Sequence, residues 1–226
     1  MGLNKIYVNI TNHCNVACPF CCMYSDSTKN RFLSFDKLYE LFKGIKEPTI
    51  IQFEGGEPLT HPHFILFLEY AASLKDIHEI VIDTNAFLLN KVIDKIVDIS
   101  ERYQKTITIK PSYNRYLQRV YDETHPIKFV DYLKNLITSC EFLDYVKFKI
   151  NVRGSNEKEI TELETELGDL MKDYIVSFLF NSYGRLTGNE NYAGLTINKV
   201  YDNWFCVNSA GENFGQDLIA RSESEK

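Results

Sequence analysis

Three cysteines near the start of the chain have the residue type and spacing for metal or redox chemistry. Cys14, Cys18 and Cys21 stand in Thr11-Asn12-His13-Cys14-Asn15-Val16-Ala17-Cys18-Pro19-Phe20-Cys21, a C-x3-C-x2-C run directly after a strand-like segment. Three thiolates on one short loop can wrap three corners of an iron–sulfur cube and leave the fourth iron without a protein ligand. An open iron on a redox cluster can bind and reduce a second molecule, whereas a cluster that only carries electrons would normally want a fourth cysteine nearby. The competing reading is a zinc ion held by the three cysteines plus His13 or a distant histidine. Zinc modules usually pair C-x2-C knuckles from two separate places, which this single tight run fits poorly. Of the six cysteines, the remaining three are Cys22, Cys140 and Cys206. The side chain of Cys22 should point away from that of Cys21, so it reads as packing. Cys140 ends a helical stripe and reads as a buried apolar residue. A chain of this size without a visible secretory signal needs no disulfide staples, so clustered thiols point to metal binding or catalysis.

Further groups of polar residues follow strand-like segments. Gln52-Phe53-Glu54-Gly55-Gly56-Glu57-Pro58 carries two glycines that let the backbone approach a ligand closely, and Glu57 could accept bonds from an ammonium group. Its plain alternative is a Gly-Gly-x-Pro turn. Asp83-Thr84-Asn85 closes a third strand and could equally be an Asx-type turn. Lys110-Pro111-Ser112-Tyr113 closes a fourth, with Tyr113 able to face a substrate, and Asn151-Val152-Arg153 closes a fifth. Arg153 reads equally well as a surface charge. His61 and His63 read as loop and cap residues rather than metal ligands.

The elements that must position these groups alternate. Strands are predicted over residues 6–10, 49–53, 79–83, 106–110, 145–152 and 174–180. Between them lie helical patterns over 34–46, with Ser34 as N-cap, then 64–74, 89–103, 127–140 and 156–171. Alternation of this kind argues for parallel strands with helical crossovers, and ligands of such folds sit at the carboxyl ends of the strands. All the polar groups above fall at that edge. Beyond Asn181 the character changes to a polar tail punctuated by Gly184, Gly188, Gly194, Gly211 and Gly215. The division expected is a core over 1–181 and an extension or lid over 182–226.

Composition bounds the function. With 226 residues, 44% hydrophobic and 25% charged, the chain suits one globular domain with a short tail. A net charge of −6 argues against a grip on a long phosphate backbone. No apolar run reaches the roughly 18 residues of a membrane span, and the cytoplasm is the expected compartment.

The cysteine loop resembles the C-x3-C-x-aromatic-C signature of the radical S-adenosylmethionine (SAM) superfamily, with Phe20 at the aromatic position. Gly55-Gly56-Glu57-Pro58 resembles that family's GGEP motif. The family pattern Thr-Asn-Gly is matched by Thr84 and Asn85, but Ala86 replaces the glycine, which puts the local backbone in doubt because alanine disfavours positive φ. The resemblance spans roughly residues 5 to 181 and implies an α/β fold, a partial (β/α)6 TIM-like barrel of the radical SAM type with a short irregular C-terminal extension. It implies one [4Fe–4S] cluster on Cys14, Cys18 and Cys21, and SAM bound by Phe20, Gly55, Gly56, Glu57, Thr84, Asn85, Ser112 and Arg153. It also implies reductive cleavage of SAM to a 5′-deoxyadenosyl radical that abstracts hydrogen from a substrate. Such an enzyme is oxygen-sensitive and draws on an external electron donor such as flavodoxin or ferredoxin. Some relatives return hydrogen to a product radical from a cysteine thiol, and Cys206 is the candidate for that role. The substrate expected first is a ribosomally made peptide. A sugar, nucleotide or pterin, or activation of a glycyl-radical enzyme, are the alternatives, and a non-catalytic zinc or iron–sulfur module is the rival class.

Overall fold

Apolar residues alternate along the predicted strands, and a computed structural model of the protein, describing residues 4–188 and 203–226, shows where each set goes. Ile6, Val8 and Ile10 of strand β1 (Asn4–Thr11) are at most 3% exposed. They join one apolar cluster with Ile51 and Phe53 of β2 (Thr49–Gly55), Ile80 and Ile82 of β3 (Ile77–Thr84), and Ile107 and Ile109 of β4 (Thr106–Tyr113). Helices α1 (Phe35–Phe42), α2 (Phe64–Ser73), α3 (Ile93–Tyr103), α4 (Arg115–Thr124) and α5 (Phe129–Ser139) contribute Leu38, Phe67, Ile96, Leu117 and Leu133 to the same cluster. The alternate strand positions carry polar side chains that bond to one another: Gln52 donates to Asp83 (2.5 Å), and Lys110 pairs with Asp83 (3.3 Å). The period of two thus separates an apolar helix-packed face from a polar one.

Every named pairing is parallel, in the order β7-β6-β4-β3-β2-β1-β8, with β5 (Val146–Phe148) also on β4. Strands β6 (Ile150–Gly154), β7 (Ile175–Leu179) and β8 (Trp204–Val207), with helices α6 (Glu157–Leu167) and α7 (Leu218–Glu223), complete the elements. Among the described residues β7 and β8 do not meet, so the barrel stays open. Register aligns the strand ends: Thr11 faces Gly55, Thr84 faces Pro111 and Ser112 faces Asn151. No helix among the described residues is long and apolar enough to cross a membrane.

Most expected elements are present, with differences of physical origin. Ser34 caps α1 as expected, accepting from the Lys37 amide (3.4 Å). The fourth strand runs past residue 110 to Tyr113, because Pro111 sits in register where its missing N–H is tolerated. The fifth strand divides into β5 and β6 at Lys149, as β4 receives first one and then the other. Helix α4 has no counterpart among the expected helices. Asn114 starts it by accepting from the Leu117 amide (2.9 Å), but only Leu117 and Tyr121 are buried, too few for a visible stripe. The helix expected from residue 89 begins at Ile93 after a short 3-10 turn, and the one expected to 171 ends at Leu167 before Gly168 (φ 78°).

The described part of the 182–226 segment is built into the sheet. Strand β8 pairs with β1, placing Cys206 opposite Tyr7. From α7, Arg221 is 2% exposed and pairs with Glu54 at the end of β2 (3.3 Å). Glu225 is fully buried and accepts from Asn9 (3.1 Å) and from the Ser209 amide (2.7 Å). Residues 189–202, including Gly194, lie outside the described part.

Candidate active site

The aligned carboxyl ends of the strands surround a cleft. Cys14, Cys18, Phe20, Cys21, Gly55, Gly56, Thr84, Asn85, Ser112 and Arg153 all line it. Two of the residues expected to bind SAM or to donate hydrogen do not. Glu57 lies beneath the wall, and Cys206 is fully buried in β8, where its thiol donates to the Gly215 carbonyl (3.3 Å). A candidate hydrogen donor at Cys206 is therefore corrected: pairing with the far edge of β1 removes it from the cleft.

The cysteine loop is zipped to the Gly-Gly turn by backbone bonds. The Gly56 amide donates to the Thr11 carbonyl (2.7 Å) and the Glu57 amide to the His13 carbonyl (2.9 Å). This approach explains the glycines: a Cβ on Gly55 would lie 2.2 Å from the Thr11 oxygen, and one on Gly56 would lie 2.1 Å from the His13 oxygen.

All six cysteines are free thiols. The Val16 amide points at the Cys14 sulfur and the Met23 amide at the Cys21 sulfur, each at 3.4 Å, and the Asn85 amide group reaches the Cys14 sulfur at 3.8 Å. Burial pushes the Cys14 thiol well up and that of Cys18 up to about 12. Thiols so placed favour the charged form only when a metal supplies the compensating charge. Among the described residues no three His, Cys, Asp or Glu side chains converge closely enough for one metal ion. A tetrahedral zinc would draw its sulfurs to within about 4 Å of one another, whereas a cube spreads its three ligands over three irons. Cys14 is buried and Cys18 and Cys21 half-buried on one loop, with amides aimed at two of the sulfurs, a donor set that fits an iron–sulfur cluster. His13, which the zinc reading offered beside a distant histidine as fourth ligand, bonds to Thr60 through Nδ1 (3.1 Å).

Glu57 organises the neighbouring strand end. It is fully buried and accepts from Thr84 Oγ1 (2.8 Å), the Asn85 amide (2.7 Å) and the Leu59 amide (3.1 Å). Thr84 and Asn85 form a turn in which their side chains accept from the Ala86 and Phe87 amides (2.9 and 3.0 Å). Ala86 has φ 69°, so the backbone keeps the left-handed form that glycine favours, and the alanine does not change it. Phe20 stacks on Phe180 at 3.9 Å, with Tyr116 edge-on at 6.0 Å. The Arg153 guanidinium lies over the Phe178 ring at 5.7 Å. Tyr113 is fully buried, and its hydroxyl bonds to Glu166 (3.2 Å), away from any substrate. His61 accepts from the His63 amide (3.1 Å) and bonds the Leu33 carbonyl (3.0 Å), so it is a loop residue, with burial lowering its pKa to about 4.

Sequence reasoning missed Glu54, Asn114, Phe180 and Asn181 as cleft residues, and Cys22 as one facing it. Glu54, Phe180 and Asn181 lie at the carboxyl ends of β2 and β7, so the strand-end rule could have found them.

Burial raises the Glu57 carboxyl from 4.5 to about 7, against three donors that favour its charge. The folded state then holds a proton that the unfolded state releases, so stability is greatest below about pH 4.5 and falls as pH rises towards 7. The loss is on the order of 3 kcal/mol. Glu57→Gln removes this dependence. The stability difference, wild type minus variant, should fall by about that amount between pH 5 and pH 8 in paired denaturant titrations. A difference that is constant or grows with pH would show that the donors hold Glu57 charged throughout.

An open barrel of parallel strands, with a thiol loop after its first strand and its ligand residues at the strand ends, defines an enzyme with an iron–sulfur centre. The chain belongs to the radical SAM superfamily, whose family model matches residues 8–167. Enzymes of this class use a [4Fe–4S] cluster and SAM. Among curated relatives, a GTP 3',8-cyclase of Aliarcobacter butzleri is 24% identical over 174 residues, covering 71% of this chain and 50% of the relative. One of Chlorobaculum tepidum is 30% identical over 99 residues, covering 42% of this chain and 30% of the relative. Among solved structures, Streptococcus suis SuiB bound to precursor peptide SuiA matches with TM-score 0.61 at 18% identity, covering 80% of this chain and 40% of that one. The anSMEcpe structure with bound AdoMet matches with TM-score 0.55 at 14% identity, covering 84% and 53%. The chain spans about half the length, or less, of these relatives.

Proposed function

We propose that Cys14, Cys18 and Cys21 hold the [4Fe–4S] cluster and that the cleft beside them binds SAM for hydrogen abstraction from a peptide. The observation that carries this reading is the single cleft shared by the three thiols, Phe20 and the Gly55–Gly56 turn. When bound, the cluster and SAM supply a 5′-deoxyadenosyl radical. The chain's part is to bind, orient and shelter. Gly55 and Gly56 bring backbone close to the methionine end of SAM, and Ser112 and Arg153 offer a hydroxyl and a cation to its polar groups. Phe20, with Phe180 beside it, provides an aromatic wall for the adenine. Glu57 holds Thr84 and Asn85 at the rim. Residues 1–181 form the core and 182–226 a C-terminal extension or lid. An external donor such as flavodoxin or ferredoxin supplies the electron, in the cytoplasm.

A peptide is favoured by the lack of pairing between β7 and β8 among the described residues, and by the fold shared with SuiB and with anSMEcpe, each named with a bound peptide. The second reading is a nucleotide, favoured by relatives named GTP 3',8-cyclase and by the polar set Gln52, Asp83 and Lys110 inside the sheet. Anaerobic reconstitution followed by dithionite and SAM should give 5′-deoxyadenosine. Failure to form it in a preparation that holds iron and sulfide would overturn the enzymatic assignment of this cleft. Stimulation of that product by GTP would select the nucleotide reading over the peptide.

A further inference from the structure

The turn after β7 is shaped against the backbone of the cysteine loop. Gly184 has φ 74°, and a Cβ there would lie 2.4 Å from the Cys22 Cα and 2.5 Å from the Cys21 carbonyl oxygen. The next residue, Arg185, donates its backbone amide to the Cys21 carbonyl (3.0 Å). Its guanidinium spreads over the rest of the loop. One end donates to the Cys18 carbonyl (2.7 Å), and the other to the Tyr24 and Ser25 carbonyls (3.2 and 3.0 Å) and to Asp26 Oδ2 (2.8 Å). Tyr24 is a non-glycine residue at φ 54°, a conformation that costs energy unless neighbours over-determine it. Its carbonyl is one of those the guanidinium holds.

We infer that Arg185 is the positioning residue of the cluster loop, fixing its backbone and placing a guanidinium charge beside the Cys18 ligand. The inference rests on the cluster assignment proposed above. A fork of five fixed donors can satisfy oxygens from four residues at once, which a lysine ammonium cannot. Two separable effects follow. As a clamp, Arg185 holds Cys18 and Cys21 at a fixed spacing and slows the loss of iron. As a charge, it favours the more negative, reduced state of the cluster and so raises its midpoint potential.

The test compares Arg185→Gln and Arg185→Lys with the wild type after anaerobic reconstitution. It reads iron and sulfide per chain, the rate of iron loss to a chelator, and the midpoint by redox titration of the reduced-cluster EPR signal. Arg185→Gln should lose iron about tenfold faster and shift the midpoint to a more negative value. Arg185→Lys should keep the midpoint near that of the wild type while still losing iron faster, since it keeps the charge and lacks the fork. A merely structural arginine would not separate the two readouts. Wild-type midpoints and iron retention in both variants would overturn the inference. If Arg185→Gln does not fold, an Arg185→Lys variant that retains iron as the wild type does overturns the clamp. A wild type that binds no iron and sulfide would instead sink the underlying cluster assignment.

Discussion

Cys18→Ala should yield a folded protein that holds little iron or sulfide and forms 5′-deoxyadenosine more than about 100-fold more slowly, beyond what loss of an outer-shell partner costs a metal site. The thiol is only half-buried, and the loop around it is held by other bonds: the Cys14 amide to Asp26, the Arg185 amide to Cys21, and the Gly56 amide to Thr11. Removing one sulfur therefore costs the apoprotein about 1 kcal/mol or less. That corresponds to a few degrees in Tm for a chain of this size. Cys140→Ala supplies the contrast. Cys140 is 6% exposed at the end of α5 and does not line the cleft, so its loss should lower Tm and leave iron content unchanged. Iron, sulfide and product assays on the two variants check this. Full iron content in Cys18→Ala would remove Cys18 from the ligand set.

Gly56→Ala should be strongly destabilising. The added carbon would lie 2.1 Å from the His13 carbonyl oxygen and 2.5 Å from its carbon. Those atoms are backbone and cannot rotate away. Relief requires parting the turn from the loop, which breaks the Gly56–Thr11 and Glu57–His13 bonds. Two lost bonds and an overpacked contact together cost about 3 to 5 kcal/mol. The expected fall in Tm is roughly 10 °C or more. Cluster loading should fall as well, because the displaced strand of the loop carries Cys14. Gly44→Ala is the control: nothing lies within 4 Å of a Cβ there, and its effect should stay within about 0.5 kcal/mol. Equal melting curves for the two variants would contradict the close approach at Gly56.

What could be read from sequence was what is local in sequence. The spacing of Cys14, Cys18 and Cys21 carries its chemistry in eight residues, and the apolar alternation of β1 to β4 places those residues at a strand end. The role of Glu57 was not legible, since its three donors come from its own turn and from β3, 27 and 28 positions away. Arg185 had no local signal at all, because its partners lie 159 to 167 positions earlier. Ala86 misled in a specific way. Its identity argues against a left-handed backbone, yet the Thr84 hydroxyl and Tyr132, which donates to the Ala86 carbonyl (3.2 Å), hold it there. The tail looked irregular because β8 is only four residues long and is stabilised by pairing with β1 rather than by its own pattern.

The distance along the chain between the thiol loop and its braces has a consequence for biogenesis. Arg185 follows Cys18 by 167 positions, and Ser222, which donates to the Cys22 carbonyl, follows it by 200. At ribosomal rates of about 5 to 20 residues per second, the nascent loop waits roughly 10 to 40 s before those braces emerge. Throughout translation its thiols are bare, so oxidant or stray metal meets them before the native contacts close.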